Sequence, residues 1–293
     1  MERTQAAYPQ QTQVWRADHD EVKRQTFSEQ DVKKLKGKEI RVGDAYTRIA
    51  YGAFKNITKV KRIVLSENIA YIGDEAFRGC TMLNTINLPA KLRRIGKGAF
   101  YNCCRLKTII IPPTVKRIEP KTFKQCRGMK AISLHDQIEA IGDSAFLECE
   151  SLEEIRIPEQ CREIGFRSFC YCDSLKSVCF PEGLLRIGRE AFYRSGLTSL
   201  KLNEQLEVLE EGAFLRCLGL REITIPKSVK QIDKWAFHGC DNLHWAVFEG
   251  DPEILGSGIF NRLDTTVVCK KGSRVDRYCR GNGFTVENQS DVS

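Results

Sequence analysis

A short pattern of apolar and polar positions recurs along most of the chain with a period of 23 residues. The clearest marker is a phenylalanine that usually follows a small residue. Ten of these share one register: Phe54, Phe77, Phe100, Phe123, Phe146, Phe169, Phe192, Phe214, Phe237 and Phe260. Every interval is 23 residues except the one that ends at Phe214, which is 22. A fixed period of this length indicates a repeat architecture rather than a series of independent domains.

Each unit combines a short strand with a tight bend. The unit at residues 93–115 reads RRIGKGAFYNCCRLKTIIIPPTV, and the shared pattern is I-G-x-x-A-F-x-x-C-x-x-L-x-x-I-x-I-P-x-x-V. Apolar and polar positions alternate in L-x-x-I-x-I, which predicts a strand with Ile109 and Ile111 inward and Thr108 and Ile110 outward. The V-x-x-I step predicts a second short strand. The Ala-Phe segment predicts a short helical turn or tight bend whose Phe fills the core.

One such coil cannot bury its own apolar edge, so neighbouring coils must stack to be stable. The predicted fold is therefore a repeat solenoid of the leucine-rich-repeat type, with a parallel β ladder, short helical turns and about ten coils. The 22-residue coil at Ser195-Gly196-Leu197 leaves two alternatives open, a bend in the solenoid or a trimmed loop.

This repeat resembles the BspA-type leucine-rich-repeat family over roughly residues 46–284. The segment VVCKKGSRVDRYCRGNGF (Val267–Phe284) also resembles the end of that family's domains, a last strand followed by a short helix. The resemblance implies a solenoid fold and an association with adhesion and protein binding. It implies the fold more strongly than the function.

The sequence predicts a cap at each end of the solenoid. Ser28–Asp31 resembles a capping box and predicts a short helix through Lys36. The predicted boundaries are a flexible polar arm at 1–26, an N-terminal capping segment at 27–50, the solenoid at 51–262, a C-terminal cap at 263–284 and a disordered tail at 285–293.

Composition sets broad limits on the class of protein. The chain is 42% hydrophobic and 29% charged, as expected of a folded soluble protein. No run of about 18 apolar residues is present, so no membrane span is predicted. The N-terminal residues have no apolar region typical of a signal peptide. We therefore expect an intracellular protein, or a surface or secreted one if Met1 is not the native start.

Charge is unevenly distributed along the chain. Residues 1–138 hold 27 Lys and Arg against 13 Asp and Glu, a net +14, whereas residues 139–293 hold 19 against 25, a net −6. A basic stripe is predicted in the N-terminal half, formed by Arg62, Arg93, Arg94, Lys116, Arg117, Lys121 and Lys124. Such a stripe attracts acidic proteins or nucleic acid, or is simply solvated surface.

Apolar residues on the outward face of the predicted strands are further candidates for contact. Ile110, Trp245 and Val247 occupy outward positions of the I-x-I segment. Exposed aromatic residues often dominate the energy of protein interfaces. The alternative is that these side chains only shield the sheet.

No arrangement of residues in the sequence predicts catalysis, and we expect no cofactor. Seven cysteines recur three residues after the repeat Phe, which favours a buried packing column, and no pair of C-x₂₋₄-C units predicts a metal site. The hypothesis is a non-catalytic protein-binding scaffold whose basic half contacts an acidic protein partner. The alternatives are a cell-surface adhesin of the same repeat family and a nucleic-acid-binding solenoid.

Overall fold

The computed structural model describes residues 25–261 and 265–288, and its strands stack as two parallel ladders. The first ladder contains β2 (Glu39–Val42), β4 (Arg62–Leu65), β6 (Thr85–Ile86), β8 (Thr108–Ile110), β10 (Ala131–Ser133), β12 (Glu154–Arg156), β14 (Ser177–Cys179), β17 (Glu222–Ile225), β19 (Trp245–Phe248), β21 (Thr266–Cys269) and β22 (Thr285–Asn288). The second contains β1 (Thr26–Phe27), β3 (Arg48–Ile49), β5 (Tyr71–Ile72), β7 (Arg94–Ile95), β9 (Arg117–Ile118), β11 (Ala140–Ile141), β13 (Glu163–Ile164), β15 (Arg186–Ile187), β16 (Val208–Leu209), β18 (Gln231–Ile232) and β20 (Ile254–Leu255). Both predicted strands of the repeat are thus present.

The solenoid has about 11 turns and little helix, which confirms the predicted fold class. In β8 the side chain of Ile109 is buried and that of Ile110 is exposed, as the alternation predicts. The extra turn relative to the predicted ten comes from Phe27 in β1, whose ring stacks on Phe54 at 5.4 Å between centroids. The 23-residue register misses Phe27 because it precedes Phe54 by 27 residues.

The core is a continuous column of phenyl rings. Eleven rings from Phe27 to Phe260 stack in ten successive pairs, with centroids 5.0–5.6 Å apart and ring planes within 25° of parallel. Each ring is almost completely buried. The repeat Phe therefore fills the interior of each coil, at a ring spacing compatible with that of parallel strands.

The Ala-Phe segment is a tight bend, which is one of the two forms predicted for it. Its hydrogen bonds run both within and between coils: the Cys126 N–H donates to the Phe123 carbonyl of the same coil at 3.1 Å, whereas the Phe123 N–H donates to the Ala145 carbonyl of the next coil at 2.8 Å. The bend contains two left-handed residues per coil, such as Lys121 at φ 61° two positions before Phe123. Bonds within a coil alternate with bonds to the next coil, so the bends form a third hydrogen-bonded ladder.

The two β ladders are interrupted at particular coils. The first divides into β2-β4-β6, β8-β10, β12-β14 and β17-β19-β21-β22, and the second divides into β1-β3-β5-β7 and β9-β11-β13-β15-β16-β18-β20. Between the coil of β6 and β7 and the coil of β8 and β9, both β ladders are broken at once. The bend ladder continues there, since the Phe100 N–H donates to the Thr122 carbonyl at 2.9 Å.

The ends of the solenoid differ in detail from their predicted form. The helix α1 spans Glu29–Lys33 and ends before the predicted Lys36, while the Ser28 N–H donates to the Asp31 carboxylate at 2.9 Å as in a capping box. The helix α2 spans Arg274–Gly281. Residues 285–288, predicted to begin a disordered tail, form β22 and pair with β21, because an unpaired edge of β21 remains available there. The rest of that tail, like the predicted arm up to residue 24, lies outside the described residues.

Candidate functional site

The predicted contact residues lie on three different parts of the coil. Arg62 (β4), Ile110 (β8), Trp245 and Val247 (both β19) belong to the face of the first ladder. The second ladder carries Arg94 in β7 and Arg117 in β9, with Arg93 and Lys116 directly before them, and the bend between Ile118 and Phe123 carries Lys121. The structure thus brings Arg93, Arg94, Lys116 and Arg117 onto neighbouring coils, but it does not bring the whole predicted set onto one surface.

Arg94 is already paired within the protein. Its guanidinium lies 3.2 Å from the Asp74 carboxylate of the preceding coil and 3.6 Å from the Glu119 carboxylate of the following one. These exposed pairs contribute little to stability, about 0–1 kcal/mol each. They do neutralise the charge of Arg94, so this residue adds less to the positive potential than its neighbours do.

Several other cations of the stripe have no internal counterion. Within the described residues no carboxylate lies within 4.0 Å of a charged nitrogen of Arg62, Arg93, Lys116, Arg117 or Lys121, and all five side chains are exposed. The Lys116 ammonium contacts only the neutral amide oxygen of Gln137, at 3.3 Å. Uncompensated charges of one sign on adjacent coils create a positive potential that attracts anionic groups.

Lys124 has a different environment. Its ammonium lies 5.5 Å from the centroid of the Tyr101 ring, which also contacts the Arg78 guanidinium at 4.8 Å. Cation–π contacts of this kind hold a cationic side chain in place while leaving its charge uncompensated. Lys124 therefore belongs to the stripe as a positioned cation.

Two exposed apolar side chains stand out on the first ladder, in different halves of the solenoid. Ile110 is 73% exposed and Trp245 is 42% exposed, whereas Val247 is half-buried beside Trp245 in β19. Strand β19 lies six repeats after β8, so Ile110 and Trp245 are too far apart to form one patch. Ile110 lies in the basic half, and Trp245 lies in the acidic half.

The in-register cysteines form a hydrogen-bonded column next to the phenyl rings. The thiol of each donates to the carbonyl of the Phe one coil earlier, at 3.0–3.3 Å, and the set is Cys80, Cys103, Cys126, Cys149, Cys172, Cys217 and Cys240. Burial raises the pKa of the Cys80 thiol to about 12 and raises the pKa of Cys103 and Cys149 well above the usual range. The raised pKa keeps the thiols of Cys80, Cys103 and Cys149 protonated at neutral pH, which disfavours both nucleophilic chemistry and metal ligation by these three residues.

In residues 25–261 and 265–288, no cluster of three or more His, Cys, Asp or Glu side chains is arranged to hold a metal ion. The same residues contain no helix of the length and apolarity needed to cross a bilayer.

Sequence reasoning missed one surface feature, a cleft on the first ladder beside the 22-residue coil. It is lined by Thr198, Ser199, Leu200, Lys201 and Arg221 together with Val178 and Glu222. The only signal in the sequence is the shortened interval between Phe192 and Phe214. The shortened interval identifies the unusual coil, but it does not predict which of the two strands of that coil is missing.

Parallel ladders, a buried phenyl column and a 23-residue coil together define a leucine-rich-repeat solenoid. The BspA type leucine rich repeat region matches this chain in six copies, over residues 47–176 and 139–267, and the chain belongs to that family. The comparison with curated proteins finds no match.

Solved structures show the same fold at low sequence identity. A leucine-rich repeat protein from Bacteroides ovatus is 22% identical, with 86% of this chain and 84% of that chain covered and a TM-score of 0.59. The pneumococcal vaccine antigen PcpA is 19% identical, with 86% of this chain and 79% of that chain covered and a TM-score of 0.52. At these identities the likeness concerns the fold alone.

Proposed function

We propose that this protein is a non-catalytic binding scaffold whose basic N-terminal half docks an acidic protein partner. The observation that carries the proposal is the set of exposed cations without internal counterions, Arg62, Arg93, Lys116, Arg117 and Lys121, on successive coils. In the C-terminal half many cations instead form ion pairs with carboxylates of neighbouring coils. Arg167 pairs with Glu190, and the Lys230 ammonium lies 2.6 Å from the Glu207 carboxylate. The stripe thus keeps its positive charge available to a partner.

An acidic protein is favoured over nucleic acid by the surroundings of the stripe. Binding to single strands usually uses exposed aromatic rings as stacking platforms between the cations. Here the nearby Tyr71 and Tyr101 rings are each covered by an arginine, Arg48 at 4.3 Å and Arg78 at 4.8 Å. Ile110, exposed on the first ladder of the same half, supplies an apolar contact that suits a protein surface.

The test compares partner capture by three forms of the full chain. The first is unchanged, and the second has Arg62, Arg93, Lys116 and Arg117 all replaced by Glu. The third is a matched control in which four exposed cations elsewhere, Arg216, Lys227, Lys270 and Lys271, are replaced by Glu. Proteins retained from lysate are identified, and binding of each purified candidate is then measured against salt concentration.

We expect an acidic protein to bind the unchanged and control chains and to be lost from the stripe variant, with affinity falling as salt rises. Equal binding by all three chains would contradict the proposal. Capture that disappears on nuclease treatment would point to nucleic acid instead. Recovery of the native protein at the cell surface, with the stripe facing an external ligand, would favour the adhesin alternative.

A further inference from the structure

The 22-residue coil keeps its core but loses its strand. The rings of Phe169, Phe192 and Phe214 remain stacked at 5.1 and 5.2 Å, and Leu197 and Leu202 remain buried. Every other coil from β2 to β19 contributes a strand to the first ladder, but residues 198–202 of this coil form none. The missing residue therefore alters one edge of the coil and not the stacking of its interior.

From Ser199 to Lys201 the backbone of this segment has no hydrogen-bond partner in the neighbouring coils that the structure describes. The Thr198 N–H donates to the Lys176 carbonyl at 3.0 Å, and beyond it Ser199, Leu200 and Lys201 form no backbone hydrogen bond in the described part of the chain. On either side the sheet ends, at β14 toward one end of the solenoid and at β17 toward the other. Unpaired backbone N–H and C=O groups at a surface remain available to hydrogen-bond a bound peptide.

The same place is a cleft of about 490 Å³ with a positively charged lining. Lys201 and Arg221 line it, and within the described residues no carboxylate lies within 4.0 Å of either charged group. Glu222 is the single acidic residue of the lining. Trp245 lies one coil further, directly paired in register with Glu222, and its exposed ring borders this part of the face.

We propose that this cleft binds an extended, acidic peptide segment of a partner protein. Free backbone N–H and C=O groups of Ser199–Lys201 form hydrogen bonds with the backbone of the segment where it lies in the cleft. Lys201 and Arg221 bind an acidic side chain of the segment through charge-assisted hydrogen bonds, and Trp245 contacts an apolar residue further along. This site is separate from the basic stripe and does not depend on it.

The test uses fluorescein-labelled, acetylated and amidated octapeptides in which Glu alternates with Val, Thr or Tyr, and a matched set with Lys in place of Glu. Binding to the full chain is measured by fluorescence anisotropy. The decisive variant inserts one Asp between Ser195 and Gly196, which restores the 23-residue period without removing any residue of the cleft. A second variant combines Lys201→Glu with Arg221→Glu, and its matched control combines Lys227→Glu with Lys270→Glu.

We expect the acidic peptides to bind the unchanged chain and the control, and the basic peptides not to bind. The double charge reversal should weaken binding by about ten- to a hundredfold, since it removes two charged hydrogen bonds. The Asp insertion should abolish binding because the coil regains its strand and pairs with its neighbours. Hydrogen exchange should show rapid exchange at amides 199–201 in the free chain and slow exchange in both the complex and the insertion variant.

Binding that survives the insertion while amides 199–201 become protected would overturn the proposal, as would failure of every acidic peptide to bind. The same peptides with a free C-terminal carboxylate are tested separately. If only these bind, the site recognises a chain terminus and not an acidic side chain, which would also contradict the proposal. The four-residue stripe variant should bind the peptides normally, so a failure here is distinguishable from a failure of the basic-stripe proposal.

Discussion

The thiol of Cys149 donates a hydrogen bond to the carbonyl oxygen of Phe123, 3.2 Å away in the preceding coil. The same oxygen accepts the Cys126 N–H at 3.1 Å, so the thiol satisfies the second lone pair of a buried acceptor. In the 22-residue coil the position is occupied by Ser195, whose hydroxyl lies 3.3 Å from the Cys217 sulfur. The repeated cysteine therefore forms a hydrogen bond to the preceding coil in addition to filling space in the core.

Replacing Cys149 by Ala should lower the free energy of unfolding by about 1–2 kcal/mol, because a buried hydrogen bond and part of the core packing are lost. Cys179→Ala is the matched control, since that thiol is exposed in β14, and its effect should stay within about 0.5 kcal/mol. Urea unfolding of both variants measures the difference. Equal effects would mean that the thiol–carbonyl bond contributes nothing.

Stability should fall steeply above about pH 9. Burial raises the pKa of Cys80, Cys170 and Cys279 to about 12, while a thiol in the unfolded chain titrates near 8.5. Because the pKa of each thiol is higher in the folded state than in the unfolded state, its full contribution to folding stability is present below the pKa of the unfolded state. That contribution is lost as the pH rises from the unfolded-state pKa toward the folded-state pKa. Each such thiol should contribute a loss of about 1.4 kcal/mol per pH unit in this window.

Urea midpoints at a series of pH values from 7 to 10 check this expectation. A variant with Cys80, Cys103 and Cys126 replaced by Ala should be less stable at pH 7 but should show a shallower decline above pH 9. An identical slope in both chains would contradict the role of the thiols, and would assign the decline to other groups.

Replacing a phenylalanine in the middle of the phenyl column should lower the free energy of unfolding more than replacing one at its end. Phe146→Ala should cost about 3–5 kcal/mol, since the ring is fully buried and stacked on both faces. Phe27→Ala should cost less by about 1 kcal/mol, because Phe27 stacks on one ring, Phe54, and meets Tyr46 edge-on. Thermal or urea unfolding distinguishes the two, and a larger loss at Phe27 would mean that the terminal turn limits stability.

The residue two positions before the repeat Phe has a left-handed backbone, so the stability of the protein should depend on whether glycine occupies that position. Gly98 has φ 58° and Lys121, at the same position one coil later, has φ 61°. Gly98→Ala should cost about 1 kcal/mol from backbone strain, whereas Lys121→Gly should be neutral or slightly stabilising. Denaturation midpoints measure both, and the expectation fails if Lys121→Gly destabilises the protein as much as Gly98→Ala does.

Much of the fold follows from the sequence because the repeat Phe marks both the period and the core position of each coil. The alternation at Ile109 and Ile110 likewise predicts which side chain is buried. The bends are harder to predict, since only some of their hydrogen bonds join neighbours along the chain and the others join residues 22 apart, such as Phe123 and Ala145. Local propensity carries no information about such bonds.

The candidate contact surface was only partly accessible to sequence reasoning. Counting charges predicts a basic half, but the counterions of Arg94 lie 20 residues before it and 25 after it, on adjacent coils. The loss of the strand at Ser199–Lys201 depends on backbone pairing with β14 and β17, which no local pattern shows. Stacking therefore decides which charges and which backbone groups remain free.

The coil junction at which both β ladders break has a mechanical consequence. Two stiff stacks meet there along a seam, joined through the bends and through the contact of Phe100 with Phe123 at 5.5 Å. Arg93 lies on one side of the seam and Lys116 on the other. A partner that binds both residues would therefore bridge two parts of the solenoid that no β pairing joins.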